Sequence, residues 1–133
     1  MPEAGRPELA ATPVRLCASS ELEEGGLAHS FQVLEGGRDT VPAFALRFEG
    51  QVVAYLNRCA HVPTEMDWQA GRFLDDQGQW IICATHGAVY DPRNGLCVAG
   101  PCASRSLVPL AVGESDGQVY WYPSPLYQPA FVD

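Results

Sequence analysis

The chain contains no lysine, so its positive charge comes from eight arginines, which face sixteen acidic residues. The net charge is −8 at pH 7. Nucleic acids and anionic lipid surfaces would repel such a chain at long range. The composition therefore argues against nucleic acid as a partner and favours a partner with a basic surface, while solubility explains the same charge equally well.

Long apolar runs and an export signal are also missing. No stretch reaches the roughly 18 apolar residues of a membrane-spanning helix. The opening residues, MPEAGRPELAATP, contain neither an apolar core nor twin arginines. We therefore expect a cytoplasmic protein that makes no contact with a membrane.

The composition does not indicate disorder or a framework of disulfides. With 133 residues, 47% hydrophobic and 18% charged, the chain is large enough for one domain with a real core. Five cysteines are an odd number, in a chain without a secretion signal. This count favours a metal site plus free thiols over a set of disulfides.

The hydrophobic pattern predicts short strands separated by turns that contain glycine and aspartate. We assign strands to VRLC, HSFQVL, AFALRF, VVAYL, GRFL, WIIC, VPLAV and VYWY, with hairpin turns at EGQ, DDQGQ and GESDGQ. In SSELEEGG, Ser20 and Glu23 have the spacing of a capping box and predict a helical turn. Such short, evenly spaced strands are typical of an antiparallel sandwich or barrel, so we predict an all-β fold.

Two cysteine and histidine pairs follow two of the predicted strands. VVAYL runs into Cys59-x-His61, and WIIC ends at Cys83-x-x-His86. If the two strand ends lie side by side, four metal ligands converge at one tip of the domain. Zinc knuckles usually present Cys-x-x-Cys from one turn, and Cys-x-His is less suited to holding a single ion. A two-iron cluster suits the mismatched pairs, because each loop can give its cysteine to one iron and its histidine to the other.

These loops, CAH and CATH, followed by GAVYDPRNGLCVAGP, resemble the Rieske iron–sulfur family. The resemblance implies one [2Fe–2S] cluster bound by Cys59, His61, Cys83 and His86. It also implies a Rieske-like antiparallel β-sandwich or barrel with a small cluster-binding subdomain. A structural zinc or interaction module that uses the same four residues is the alternative.

The resemblance, together with the Pro-rich character of both ends of the chain, sets the expected domain bounds. We expect an N-terminal extension at residues 1–12, a single Rieske domain at 13–122 and a Pro-rich tail at 123–133. The cluster-binding part should lie at about residues 57–103. In the family a third loop with a proline covers the cluster, and Pro101 is the matching residue here.

Departures from the family pattern concern the reduction potential. High-potential members have an extra cysteine in each ligand loop, joined as a disulfide, and Thr64 and Thr85 occupy those positions here. A serine that donates a hydrogen bond to a bridging sulfide corresponds to Ala88, which has no donor. Tyr90 matches a tyrosine that could donate to the sulfur of Cys59. One donor lost and one kept implies a potential nearer ~−150 mV than ~+300 mV on the range of the family.

A lone Rieske domain without the disulfide resembles the Rieske-type ferredoxins. The resemblance implies a one-electron carrier rather than a catalyst, with a flavin-dependent reductase as donor and an oxygenase or similar terminal enzyme as acceptor. The alternative is a small accessory subunit of a redox enzyme, similar to the small subunit of assimilatory nitrite reductase. We do not expect a terminal oxygenase, because no segment follows the domain to hold a mononuclear iron site.

The remaining histidine and cysteines are not expected to bind the cluster. His29 is expected to be a strand residue away from the ligand loops. Cys17 is expected to pack as a small hydrophobe. Cys97 and Cys102 flank the VAGP segment, which the family does not use for ligation.

Two acidic residues follow the first ligand loop. Glu65 and Asp67 lie four and six positions after His61. We expect their carboxylates to surround the point of electron exit with negative charge.

Overall fold

β-strands make up nearly all the regular structure in the computed structural model, which describes residues 12–59, 66–67, 71–75, 77–83, 87–100 and 105–129. The strands are β1 Val14–Ala18, β2 His29–Glu35, β3 Asp39–Phe48, β4 Gln51–Leu56, β5 Ile81–Ile82, β6 Val89–Tyr90, β7 Cys97–Ala99, β8 Pro109–Leu110, β9 Val112–Ser115, β10 Gln118–Trp121 and β11 Tyr127–Pro129. A short 3-10 turn at Ser19–Glu21 follows β1. Within the described ranges, no helix has the length and apolar character needed to cross a membrane.

The strands form three antiparallel sheets. The central sheet has the strand order β11-β2-β3-β4-β8, the outer sheet β1-β10-β9 and the small sheet β5-β6-β7. Every paired strand runs antiparallel to its neighbour. The expected all-β fold with a small additional subdomain is therefore confirmed.

The central strand β3 separates two hydrophobic cores. Successive side chains of a strand point to opposite faces, and β3 is apolar on both. Phe44, Leu46 and Phe48 pack on the side of the small sheet, in what we call the cluster-end core. Residues 41, 43 and 45 pack on the side of the outer sheet, in the base core. This double burial explains why AFAL is a continuous apolar run and not an alternating one.

Two hairpins have the two-residue turns that fit the twist of antiparallel strands. Glu49 and Gly50 join β3 to β4, and Asp116 and Gly117 join β9 to β10. All four residues have positive φ, between 52° and 79°, as this type of turn requires. The predicted turn EGQ is therefore correct, and the turn in GESDGQ is shorter than predicted.

Other local predictions were wrong in ways that the sheets explain. The capping contact runs from the backbone N–H of Ala18 to Oε2 of Glu21 at 3.2 Å, and does not involve Ser20 and Glu23. The backbone N–H of Ser19 bonds to the β9–β10 turn, so the outer sheet fixes where the 3-10 turn begins. VPLAV is divided between β8 in the central sheet and β9 in the outer sheet.

Part of the C-terminal segment belongs to the central sheet. Tyr127 pairs with Glu35 and Pro129 pairs with Val33, which makes β11 an edge strand beside β2. A proline is tolerated there because an edge strand has one side free of ladder hydrogen bonds.

Candidate metal centre

The first ligand loop begins where β4 leaves the central sheet. Tyr55 and Leu56 are the last residues of β4, and Cys59 follows three positions later. The Cys59 side chain is 2% exposed and packs in the cluster-end core. His61 lies outside the described residues, as do Thr64 and Glu65.

The second ligand loop is closed by backbone hydrogen bonds at the end of β5 and β6. Ile82 pairs with Val89. The next residue, Cys83, donates from its N–H to the carbonyl of Ala88 and accepts from the N–H of Gly87, both at 2.8 Å. Cys83 is 1% exposed and belongs to the cluster-end core.

Three residues lie between Cys83 and Gly87, and all three are outside the described part. They include His86 and Thr85. The structure therefore fixes both ends of the loop that carries the second expected histidine ligand.

Tyr90 contacts the first ligand loop with its hydroxyl and belongs by its backbone to the small sheet that carries the second ligand loop. Its hydroxyl oxygen lies 3.4 Å from Sγ of Cys59, and its backbone pairs with Ile81 in the small sheet. Tyr90 and Ala88 are both completely buried and share the cluster-end core with Cys59 and Cys83. The structure thus brings together the two expected sulfur ligands and two of the residues expected around them.

The described part of the site fits an iron–sulfur cluster. It offers two buried sulfur atoms in one apolar core, with a tyrosine hydroxyl beside one of them. Thiolate sulfur is the usual ligand for such clusters, and nearby hydroxyl donors tune them. The described residues by themselves contain no group of three or more His, Cys, Asp or Glu side chains that could hold a metal ion. Both expected histidines would have to complete the site.

A buried asparagine near the first ligand loop was not identified from the sequence. Oδ1 of Asn57 accepts from the N–H of Met66 at 2.7 Å, and Nδ2 of Asn57 donates to Oδ1 of Asp67 at 3.0 Å. Oδ2 of Asp67 accepts from the N–H of Gly71 at 3.2 Å. Both carboxylate oxygens of Asp67 thus accept hydrogen bonds from within the protein, and its place around the electron exit stays a prediction.

An ion pair lies directly beside the first cysteine and was also not identified from the sequence. The guanidinium of Arg58 donates to both carboxylate oxygens of Glu35, at 3.1 and 3.2 Å. Glu35 also accepts from the hydroxyl of Tyr127 at 3.3 Å. These bonds, chiefly the one from Arg58, lower the pKa of Glu35. The pair ties the start of the ligand loop to β2 and β11.

A buried tyrosine holds the turn that follows β6. The hydroxyl of Tyr55 donates to the carbonyl of Pro92 at 2.7 Å. Burial, with the nearby Asp91 carboxylate as a smaller cause, raises the pKa of Tyr55 to about 12. Gly95 fits against this ring only because it lacks a side chain, since a Cβ there would lie 2.8 Å from Cε1 of Tyr55.

The start of the third loop, which is expected to cover the cluster, approaches the second ligand loop closely at Gly100. This glycine has a φ of +91°, and a Cβ on it would lie 2.6 Å from the carbonyl oxygen of Gly87 and 2.9 Å from Cα of Ala88. The close approach therefore requires glycine for two reasons, its φ and its lack of a side chain. Pro101 lies outside the described residues.

The cysteines outside the site differ from each other. Cys17 is a free, buried thiol in the base core, as expected, and burial raises its pKa, with Glu21 as a smaller cause. Cys97 is disulfide-bonded, so the free thiols that the cysteine count favours do not include it. Its partner lies outside the described residues, where Cys102 also falls.

The third histidine of the chain lies on β2, next to a residue that packs against the base core. His29 is half-buried on β2, where its ring stacks on Phe31 with ring centroids 6.4 Å apart. Burial lowers the pKa of His29.

Comparison with known proteins identifies the family of the domain. A family model described as the Rieske [2Fe-2S] domain matches residues 12–122. None of the curated protein sequences is significantly similar to this chain.

Several solved structures have the same fold. The ferredoxin of carbazole 1,9a-dioxygenase from Nocardioides aromaticivorans is 22% identical, with a TM-score of 0.65, over 86% of this chain and 100% of that one. A ferredoxin from Sphingomonas yanoikuyae is 21% identical, with a TM-score of 0.60, over 85% of this chain and 100% of that one. A structure described as the complex of reduced oxygenase and oxidized ferredoxin in carbazole 1,9a-dioxygenase is similar at 23% identity and a TM-score of 0.62. That match covers 83% of this chain and 92% of the other.

Proposed function

Since the chain belongs to the Rieske [2Fe-2S] domain family, we propose that it carries single electrons from a flavin-dependent reductase to an oxygenase or a similar terminal enzyme. Members of the family bind one [2Fe–2S] cluster, which takes up and releases one electron. Iron, and not structural zinc, is therefore the metal of the site.

We assign Cys59 and Cys83 as ligands of one iron, and His61 and His86 as ligands of the other. The observation that carries this assignment is the burial of both cysteines in one core, next to the Tyr90 hydroxyl. The two histidines follow these cysteines by two and three positions, at the spacing of the family. Each chain segment thus supplies one sulfur and one nitrogen ligand.

The chain's own residues would support such a cluster in three ways. The apolar cluster-end core excludes water from the two sulfur atoms. The Tyr90 hydroxyl can donate to the sulfur of Cys59. Gly100 lets the covering loop pack directly on the second ligand loop.

The oxygenase as acceptor is supported by similarity. One solved structure of similar fold is described as a complex of a reduced oxygenase with an oxidized ferredoxin. The net charge of −8 supports a basic surface on the partner. A carrier meets its donor and its acceptor in turn, so each complex must dissociate quickly. We therefore expect a small contact surface, as in other weak electron-transfer complexes.

A reconstituted electron-transfer chain tests the proposal. Purified protein, a flavin-dependent ferredoxin reductase, NADH and the basic acceptor cytochrome c are mixed. We expect cytochrome c reduction to continue for many turnovers and to rise with the concentration of this protein. A matched sample of the Cys59→Ala variant should give the rate of the reductase alone.

The accessory-subunit alternative predicts a different result. In that case the protein would hold its cluster but would not be reduced by a free reductase, and it would purify in a fixed ratio with a larger enzyme. That outcome would overturn the carrier proposal and leave the family assignment intact.

A further inference from the structure

We propose that Asn57 is a positioning residue, which joins the two ends of the first ligand loop and so keeps the cluster in place. The inference rests on the proposed ligands Cys59 and His61, which both lie inside this loop. It assigns to Asn57 a role in cluster retention that is separate from the stability of the whole fold.

The side chain of Asn57 is buried at the point where β4 ends. Apart from the tyrosines and cysteines, no other polar or charged side chain among the described residues is as buried as Asn57, which is 6% exposed. Its backbone N–H donates to the carbonyl of Pro42 on β3 at 2.8 Å. The start of the loop is therefore fixed to the central strand of the sheet.

The same side chain reaches the far end of the loop, nine positions later. Its Oδ1 accepts from the N–H of Met66 at 2.7 Å, and its Nδ2 donates to Asp67 at 3.0 Å. Met66 is completely buried in the cluster-end core, and Asp67 in turn accepts from the N–H of Gly71. Asn57 thus bonds to an end of the loop that is itself anchored.

Joining the ends of a loop removes conformational freedom that metal binding would otherwise have to remove. Ligands held by a supporting set of hydrogen bonds stay near the geometry that the metal needs. Without the Asn57 contacts, the first loop would still carry Cys59 and His61, but its ends could separate. The cluster should then be lost more easily even while the sheets remain folded.

An exchange of the two polar residues tests the contact directly. In Asn57→Asp the Nδ2 donor is lost, and two carboxylates face each other across the former hydrogen bond. In the double variant Asn57→Asp/Asp67→Asn, the amide introduced at position 67 can donate to the carboxylate introduced at position 57. Each side chain then keeps an acceptor for its backbone partner, Met66 or Gly71, and the net charge equals that of the wild type.

The measurement is the rate at which the holoprotein loses its visible absorption in the presence of an iron chelator, together with iron per chain and the urea midpoint. We expect Asn57→Asp to lose the cluster at least about tenfold faster than the wild type. The exchanged pair should lose it within about threefold of the wild-type rate. If Asn57→Asp does not fold, the exchanged pair must still yield folded, iron-loaded protein.

A core variant controls for general destabilisation. Val33→Ala removes volume from the base core, where Val33 is completely buried, and leaves the loop untouched. It should lower the urea midpoint but keep the wild-type rate of cluster loss in the absence of urea.

Three results would overturn the inference: a wild-type loss rate in Asn57→Asp, an exchanged pair as defective as Asn57→Asp, or equally fast loss in Val33→Ala. Failure of the proposed function would look different, because the wild-type protein itself would then lack a Rieske cluster or would not pass on electrons.

Discussion

At the scale of single residues, the contact between Tyr90 and Cys59 sets an expectation for the reduction potential. A hydroxyl that donates to a ligand sulfur withdraws negative charge from it, which favours the reduced cluster. Tyr90→Phe keeps the buried ring and removes the donor. We expect the potential to fall by about 20–60 mV, the equivalent of one net hydrogen bond for a one-electron couple.

A redox titration followed by visible absorption measures this change. Ala88→Ser is the opposite variant, because it adds a hydroxyl beside the second ligand loop, and we expect it to raise the potential. Unchanged potentials in both variants, with intact clusters, would show that neither position donates a hydrogen bond to the cluster sulfurs.

Residue patterns indicate the candidate ligands and the neighbouring Tyr90 and Ala88, but not the hydrogen bonds of Asn57. The Cys and His spacings are visible in the sequence because each pair comes from one short segment. The partners of Asn57 are nine and ten positions away, and nothing in the local pattern marks them. The charge of Asp67 and its position after the first ligand loop predict a place at the electron exit, but they do not predict the two hydrogen bonds that it accepts. Such contacts depend on the path of the chain, which local pattern does not determine.

At the scale of structural elements, the covering loop depends on its glycine. Gly100→Ala would place a Cβ within 2.6 Å of the carbonyl oxygen of Gly87, at a φ of +91°. The loop and the second ligand loop must then move apart. We expect a loss of unfolding free energy of about 2 kcal/mol or more and faster loss of the cluster.

Gly117→Ala is the matched control for that variant. Gly117 also has a positive φ, +76°, but a Cβ there meets nothing within 4 Å. The free energy of unfolding of Gly117→Ala should fall by only about 1 kcal/mol, the cost of a left-handed conformation for alanine. Its rate of cluster loss should equal that of the wild type. Urea unfolding and chelator assays on both variants give the comparison, and equal rates of cluster loss would contradict the proposed packing role of Gly100.

The turn after β6 carries a prediction about alkaline pH. Burial raises the pKa of Tyr55 to about 12, against an unfolded value near ~10. A group with a raised folded pKa contributes stability that is complete below the unfolded pKa and is lost as pH rises through the folded pKa. We therefore expect the stability to fall between about pH 10 and pH 12.

Tyr55→Phe should remove this part of the alkaline loss. At pH 7 the variant should be less stable by about 1 kcal/mol, because the carbonyl of Pro92 loses its donor. Urea unfolding at pH 7 and at pH 10 to 11 measures both effects. An alkaline slope as steep in the variant as in the wild type would assign the slope to another group.

The sequence predicts long strands with apolar runs better than very short strands. Strands with clear apolar runs, such as β3 and β4, were found from the sequence, although β3 begins at Asp39 and not at residue 43. The strands β6, β7 and β11 have only two or three residues each and no pattern of their own. They are strands because a neighbouring strand offers hydrogen bonds, and that information is not local.

At the scale of the whole molecule, the surplus of acidic charge governs encounters with partners. At least three of the eight arginines, Arg47, Arg58 and Arg93, are paired with carboxylates within the molecule. The remaining acids should attract a basic partner at long range. We expect reduction by the donor to slow as salt rises past physiological strength, where screening acts within ~8 Å.

A single carboxylate near a ligand tests where the partner docks. Glu65 follows His61 by four positions, and Glu65→Gln should slow reduction by the donor without changing the potential. Asp116→Asn, in the β9–β10 turn of the outer sheet, makes the same change in charge. This control variant should be reduced by the donor at the wild-type rate. Stopped-flow rates that are equal for the two variants at every ionic strength would contradict docking at the cluster end.

Electron paramagnetic resonance of the reduced protein tests the central claim, the Cys59, His61, Cys83 and His86 ligand set, most directly. The chain has three histidines, so labelling them with ¹⁵N and removing them one at a time separates ligands from His29. We expect a signal with the low average g-value of the Rieske family and pulsed-resonance couplings to two nitrogens. His29→Ala should keep both couplings, whereas His61→Cys and His86→Cys should each lose one. A colourless, iron-free protein, or a cluster without nitrogen couplings, would contradict the account.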